Sequence, residues 1–285
     1  MAITFEKVNF SYGAGTTLAQ AILHDVTVTM PTGQVTAIVG QTGSGKSTLV
    51  QHINGLLKPT AGRVLVDGFE LTPRTKEKQL MPLRQKVGMV FQFPENQLFA
   101  STVLADVMYA PLNFGADQAT AKAAAEAALR RVGVAETLWQ KSPFELSGGQ
   151  MRRVAMAGTL ASDPSVVVLD EPAAGLDPKG QAELLQLVLD LKALGKTVIF
   201  ISHHMDHVVA VAEQAVVMHD GQVFSNETPS QLFNRELAWF KTMKLDLPKA
   251  GQFTEKLKAA GIVLPERPLT LPSLATAINA EVGHE

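Results

Sequence analysis

The stretch QVTAIV (Gln34–Val39) runs directly into GQTGSGKST (Gly40–Thr48), and helical spacing follows from Lys46 to Leu57. An apolar strand, a turn matching G-x-x-x-x-G-K-[ST] and a helix form the arrangement in which that motif is a phosphate-binding loop. Gly40, Gly43 and Gly45, with Gln41, Thr42 and Ser44 between them, let backbone N–H groups turn inward around phosphate oxygens. The helix that follows adds the partial positive charge of its N-terminus. Lys46 is placed to reach the β- and γ-phosphates, the Ser47 hydroxyl to ligate Mg²⁺, and Thr48 to complete the loop.

The rest of the chain suits a sheet that can carry such a loop. Ile3–Phe10, Val26–Met30, Arg63–Val66 and Val87–Phe91 read as strands. Val166–Leu169, Val198–Ile201 and Ala215–Met218 are short β-branched runs separated by helical segments. That alternation predicts an α/β fold with a mainly parallel sheet. Between about 99 and 161 strand character is weak, and Thr120–Val132 and Met151–Ala161 read as helices, so this block is expected to be a helical insertion. After Arg235 the composition changes. Pro248, Pro265, Pro268 and Pro272 mark a small C-terminal domain over 236–285, with short helices near Gln252–Ala260 and Pro272–Ala280 and Thr270 capping the second.

With a net charge of −2, no global field points to nucleic acid. Cysteine is absent, which excludes disulfides and thiolate-metal sites and fits a reducing compartment. The N-terminus lacks the features of a secretory signal, and no apolar run approaches the roughly 18–20 residues of a membrane helix. The chain is expected to be soluble by itself, with any spanning of a membrane left to another chain.

Two further motifs carry chemistry. VVVLDEP (Val166–Pro172) is an apolar strand that ends in two carboxylates, a costly arrangement unless a cation or bound water meets them. Asp170 can hold Mg²⁺ through water, and Glu171 can polarise an attacking water. LSGGQ (Leu146–Gln150) opens a helix with Ser147 as N-cap and with the N–H groups of Gly148 and Gly149 uncovered, which makes a second anion site. One nucleotide rarely needs two cradles, so the economical arrangement is a pair of subunits head to tail, each offering Ser147–Gln150 to the other's nucleotide.

The order Gly40–Ser47, Gln92, LSGGQ, LDEP, GLD (Gly175–Asp177) and ISHH (Ile201–His204) resembles an ATP-binding cassette (ABC) ATPase over about residues 1–235. The resemblance implies a P-loop, RecA-like core with a helical insertion, and ATP and Mg²⁺ as substrate and cofactor. It also implies that Tyr12 stacks on adenine and that Gln92 touches Mg²⁺ and the attacking water. Asp177 would lie in the loop linking two sites across a dimer, and His203 would be the histidine on the γ-phosphate. HHMDH (His203–His207) superficially matches a zinc pattern, but TVIFIS makes His203 a strand end rather than one turn before His207, so zinc is not expected. His204 and His207 are read as solvated or packed.

FQFPENQLFASTV, then DV and PLNFG, is similar to the ATPase subunits of energy-coupling factor (ECF) transporters, and to the second of their two types, which carries FPE where the first has NPD. The GLDP loop and proline-bearing tail agree. This narrower resemblance implies a subunit at the cytoplasmic face of the membrane that energises uptake of a vitamin or other micronutrient. Its implied partners are a second homologous ATPase, in a heterodimer rather than a homodimer, a transmembrane scaffold and a membrane substrate-binding subunit. Pro94, Glu95, Asn96, Gln97, Leu98 and Phe99 are expected to meet the scaffold, with Glu95 facing a basic group there, and the C-terminal domain to aid ATPase dimerisation. Another ABC importer, such as a cobalt or nickel system, is the nearest alternative. A soluble ABC protein acting on nucleic acid would carry two cassettes or long coiled-coil insertions, and a phosphotransferase would lack LSGGQ and LDEP.

Overall fold

The computed structural model describes residues 3–264 and 266–282, so Pro265 of the tail lies outside the described residues. In chain order the elements are β1 (Ile3–Tyr12), β2 (Gln20–Met30), β3 (Val35–Val39), α1 (Lys46–Gln51), β4 (Ala61–Val66), β5 (Phe69–Leu71), α2 (Met81–Lys86) and β6 (Val87–Val90). They continue with α3 (Val103–Asn113), α4 (Gln118–Arg131), α5 (Gly148–Leu160), β7 (Val166–Asp170), α6 (Pro178–Ala193), β8 (Thr197–Ile201), α7 (Met205–Val211), β9 (Gln214–His219) and β10 (Gln222–Glu227). Four helices close the chain: α8 (Pro229–Phe233), α9 (Leu237–Met243), α10 (Lys249–Ala259) and α11 (Leu271–Val282).

Two sheets form. An antiparallel one is ordered β2-β1-β4-β5, and a six-stranded one β10-β9-β3-β8-β7-β6, in which only β10 runs antiparallel to its neighbour. The central strands are buried on both faces, which explains their unbroken apolar sequences. Along β7 and β8 the side chains alternate between two cores. Val166, Val168, Ile199 and Ile201 face the antiparallel sheet, with α1 between the layers; Val167, Leu169, Val198 and Phe200 face the helices. This two-sided packing fixes the β7 and β8 C-terminal ends, where Asp170 and Ile201 lie side by side in register.

The helical insertion is an excursion between β6 and β7, which are themselves adjacent and parallel. Its residues Val103, Val107, Leu129, Val154 and Ala157 share one core with Leu169 and Phe200, so it is seated on the sheet. Helix α1 ends at Gln51, earlier than its apolar spacing suggests, because the chain turns through Gly55 at φ 69°. Strand β2 starts six residues earlier than Val26, since the irregular pairing around Leu23 interrupts the alternation without ending the ladder. Strands β5 and β10 were not expected: the first is three residues long, and the second has no fully buried side chain to reveal it.

In the tail the packing break falls after the composition break. Phe240 of α9 and Leu247 join a core with Ala37, Val39 and Phe233, whereas Ala250, Leu264 and Leu274 form a small core of their own. The Thr270 hydroxyl accepts from Ser273 N at 3.2 Å and caps α11.

The candidate nucleotide site

The loop between β3 and α1 is held by contacts that exclude side chains. Gly40 has φ 153°, and a Cβ there would lie 2.3 Å from the Met218 carbonyl oxygen of β9 and 2.7 Å from Ser44 Oγ. Gly43 and Gly45 take φ 83° and 97°, so all three glycines stand where L side chains are strained. Lys46 is 5% exposed; its ammonium donates to the carbonyls of Gly40 and Gln41, both at 2.9 Å. Burial lowers the Lys46 pKa from its ordinary value, and the carboxylates of Glu171 and Asp170 offset part of that. Thr42 and Gly43 are exposed at the loop's tip. The Ser44 hydroxyl is sealed without a partner, and Thr48 O accepts from His52 Nδ1 at 2.7 Å.

Asp170 is the last residue of β7. Ser47 Oγ donates to its Oδ1 at 3.2 Å, which joins the phosphate loop to the strand. Burial raises the Asp170 pKa, while the Ser47 bond works in the other direction. A hydroxyl and a buried carboxylate, with the Gln92 amide nearby, are the oxygen donors a hard cation takes. Among the described residues no cluster of three or more His, Cys, Asp or Glu forms a metal cage. The oxygen donors of Ser47 and Asp170 fit a Mg²⁺ ion carried in with phosphates, the usual mode for that ion. His207 is a packed residue of α7, with Nε2 3.2 Å from Gln181 Oε1, and burial lowers its pKa.

Glu171 follows immediately and leaves the strand with φ 49°. Its Oε2 accepts from Gln92 Nε2 at 3.1 Å, and its Oε1 lies 2.7 Å from His203 Nε2. The ends of β6, β7 and β8 thus deliver Gln92, Glu171 and His203 to one point, although the three are far apart in sequence. Tyr12, at the end of β1, is 44% exposed and meets Phe10 edge to face at 4.8 Å.

Ser147–Gln150 form a separate unit. Ser147 Oγ accepts from Gln150 N at 3.4 Å and Gln150 Oε1 from Ser147 N at 2.9 Å, a capping box. Gly148 and Gly149 have open space where a Cβ would go. No polar contact brings these four residues to Lys46 or Glu171 among the described residues. Asp177 caps α6, its Oδ1 accepting from Gly180 N at 2.7 Å.

The segment Pro94–Phe99 departs from its expected role at three positions. Pro94 and Leu98 are buried, Leu98 in the helical-layer core, because the short turn over Pro94–Gln97 packs on α5. One oxygen of Glu95 is sealed from solvent without a partner, and its charge acts on Arg152 of the same chain. The exposed remainder is Asn96, Gln97 and Phe99. Arg152, in the run MRR after LSGGQ, is a site-side residue that motif reading passed over; a charge on the buried face of an apolar helix was the available signal.

A family model described as ABC transporter matches residues 23–174, and one described as AAA domain, putative AbiEii toxin, Type IV TA system, matches 141–210. Similar proteins include the energy-coupling factor transporter ATP-binding protein EcfA2 of Leuconostoc mesenteroides subsp. mesenteroides, 68% identical over 285 residues and the whole of both chains. EcfA2 of Lactobacillus delbrueckii subsp. bulgaricus is 47% identical over 279 residues, 98% of this chain and 97% of that one. Among solved structures, cbiO1 from Clostridium perfringens, part of the ABC transporter complex cbiONQ, matches with TM-score 0.73 and 38% identity over 89% of this chain and 98% of that one. The dimeric ATP-binding cassette MJ0796, in a post-hydrolysis state bound to ADP and Pi, matches with TM-score 0.72 and 29% identity over 80% and 98%. With these likenesses and the phosphate loop, LSGGQ helix and Glu171 cluster on one scaffold, the chain belongs to the ABC transporter ATPases, and among them to the ATP-binding proteins of energy-coupling factor transporters.

Proposed function

We propose that the chain hydrolyses ATP, with Glu171 as the general base, to drive uptake of a vitamin or other micronutrient through an energy-coupling factor transporter at the cytoplasmic face of the membrane. The observation that carries the chemistry is the double hold on Glu171. With Oε1 against His203 and Oε2 against Gln92, the carboxylate has a fixed direction beside Asp170 and Ser47. A base so oriented takes a proton from water without first being ordered, and orientation is a large part of such catalysis. Lys46 would bind the β- and γ-phosphates, and backbone N–H groups of Gly43–Thr48 would cradle them. Ser47, Asp170 and Gln92 would hold Mg²⁺, which supplies charge neutralisation when bound. Tyr12 would stack on adenine, and His203 would also meet the γ-phosphate.

Ser147–Gln150 would complete the site of a second, homologous ATPase, with Asp177 in the loop between the two sites. The open space over Gly148 and Gly149 supports this reading, since no described residue comes within 4 Å of where a Cβ would stand there. A heterodimer is favoured by the two-ATPase composition that the family resemblance implies. Among the described residues no helix is long and apolar enough to cross a membrane, so the scaffold and substrate-binding subunits would be separate chains. The scaffold would dock at the cleft of about 260 Å³ bordered by Gln97, Phe99 and Tyr109. The small unit around Ala250, Leu264 and Leu274 would assist ATPase pairing.

The test is Glu171→Gln in the assembled membrane complex. ATP binding is expected to persist while hydrolysis slows about 10²–10⁴-fold; near-normal turnover overturns the assignment of the base. Mass identification of chains captured with the tagged subunit from membranes checks the partner set, and capture without a second ATPase overturns the heterodimer.

A further inference from the structure

Two residues beyond Gln150, helix α5 carries a buried charge that none of the motifs uses. Arg152 is 5% exposed. Its Nη1 donates to the Ala174 carbonyl at 2.8 Å and its Nη2 to the Pro172 carbonyl. Both carbonyls belong to the turn that begins at Glu171 and is closed by Ala174 N donating to Glu171 O at 3.2 Å. Glu171 itself sits at φ 49°, a conformation that a non-glycine residue keeps only where its surroundings over-determine it. The two-pronged grip of a planar guanidinium is such a constraint.

Glu95 completes the arrangement. It lies three residues past Gln92, in the turn that packs on α5, and its sealed Oε2 has no hydrogen-bond partner. Burial lowers the Arg152 pKa, and the charge of Glu95 opposes that effect. Arg152 Nε likewise has no partner among the described residues, so the two groups are related by charge and not by a hydrogen bond. One guanidinium thus joins the LSGGQ helix to the turn of the base, on a helix against which the segment that follows Gln92 packs.

We propose that Arg152 is a positioning residue for hydrolysis: it holds the Glu171–Ala174 turn in register, and the charge of Glu95 steadies its grip. The proposal rests on Glu171 being the base. Its physical content is the pair of hydrogen bonds by which one guanidinium holds the turn that carries the catalytic carboxylate.

The experiment measures kcat, KM, nucleotide binding and thermal melting of the assembled complex carrying Arg152→Met, Arg152→Lys, Glu95→Gln, the Glu95→Gln/Arg152→Met double variant and Glu171→Gln. Arg152→Met is expected to lower kcat by about tenfold to a hundredfold with KM nearly unchanged, the signature of a misplaced group rather than lost binding. Arg152→Lys restores part of the rate. Glu95→Gln slows turnover by about threefold, and adds nothing once Met stands at 152. Unchanged kcat in a folded Arg152→Met variant overturns the proposal, as does a parallel fall in kcat, binding and melting temperature. If Arg152→Met does not fold, the cycle is run with Arg152→Lys, where full additivity with Glu95→Gln overturns it. Loss of hydrolysis in Glu171→Gln alongside normal Arg152→Met defeats this proposal alone, whereas normal turnover in Glu171→Gln removes the base reading beneath it.

Discussion

The His203 ring takes one oxygen of Glu171 at 2.7 Å and leaves the other to Gln92. A carboxylate bonded on one side only can rotate, so each partner restricts Glu171 differently. His203→Ala is expected to lower kcat by about tenfold to a hundredfold, the cost of a misaligned group, with ATP affinity changed far less. His203→Gln, whose amide can still donate to Oε1, is expected to recover part of that rate. Steady-state kinetics beside equilibrium nucleotide binding separate the two effects, and equal losses in both would show that His203 serves binding alone.

Gly40 meets backbone rather than a yielding side chain. A Cβ there would stand 2.3 Å from the Met218 carbonyl oxygen, and β9 cannot retreat without breaking its pairing with β3. Gly40→Ala is therefore expected to lose nucleotide binding and to destabilise the protein by about 1–3 kcal/mol, from overpacking and backbone strain. Denaturant unfolding and ATP titration check both halves. A variant with wild-type binding would mean that the loop moves more freely than its contacts imply.

Much of this site was legible in the sequence because its motifs are local. Gly40–Thr48, Val166–Glu171 and Leu146–Gln150 each place several candidate site atoms within one turn or strand end, so spacing carries the information. Bringing Gln92, Glu171 and His203 together needs the strand order β8-β7-β6, which only the family resemblance could anticipate. Arg152 was legible only as a charge on a helix with an apolar face; what it holds was not, because its partners are main-chain carbonyls of Pro172 and Ala174, which leave no mark on the sequence. Burial of Pro94 and Leu98 was missed because a mixed string such as FPENQLF gives no period from which to read an inward face. Strand β10 alternates exposed and half-buried residues without a fully apolar position, so it gave no signal either.

Gly149 separates fold from assembly. It lies in the first turn of α5, and beyond that helix no described residue comes within 4 Å of the point where a Cβ would stand. Gly149→Ala should then leave the subunit as stable or more so, by up to about 1 kcal/mol from helix propensity. If the partner's nucleotide approaches that surface, hydrolysis by the ATPase pair falls about tenfold or more while this subunit still binds ATP through its own loop. Melting of the isolated subunit and turnover of the pair give the comparison; full activity would remove the reason for glycine at that position.

His52 makes stability depend on pH in a stated direction. The ring is fully buried, its Nδ1 donates to Thr48 O, and its Nε2 has no partner, so protonation would place an uncompensated charge in the core. Burial lowers its pKa to about 4 against an ordinary 6.5. Between those values the unfolded chain binds the additional proton, so stability is present in full above pH 6.5 and falls as the pH drops toward 4. From about pH 7 to about pH 5 this group alone removes about 2 kcal/mol. His52→Phe, which keeps a ring beside Phe10, is expected to flatten the profile by about that amount, as measured by denaturant unfolding at each pH. Parallel profiles for the two proteins would mean that His52 is hydrated in solution.

Phe99 and Tyr109 form an edge-to-face pair at 4.8 Å that remains 59% and 51% exposed. The pair is held in place: Asp106 Oδ2 accepts from the N–H groups of Phe99 and Ala100 at 2.9 and 2.8 Å, which fixes the loop against α3 one turn before Tyr109. Two large aromatics kept rigid beside a cleft have the character of binding anchors, which carry a disproportionate share of interface energy. Phe99→Ala and Tyr109→Ala are each expected to weaken capture of the transmembrane scaffold by about 2 kcal/mol or more, roughly thirtyfold in affinity. Neither ring takes part in the hydrogen bonds that hold Glu171, so nucleotide binding by the isolated subunit should stay at the wild-type level. Asp106→Asn keeps one acceptor for the two N–H groups and should weaken capture less than either truncation. Scaffold capture measured beside ATP titration makes the distinction: a Phe99→Ala subunit that assembles at wild-type affinity places the scaffold elsewhere on the surface.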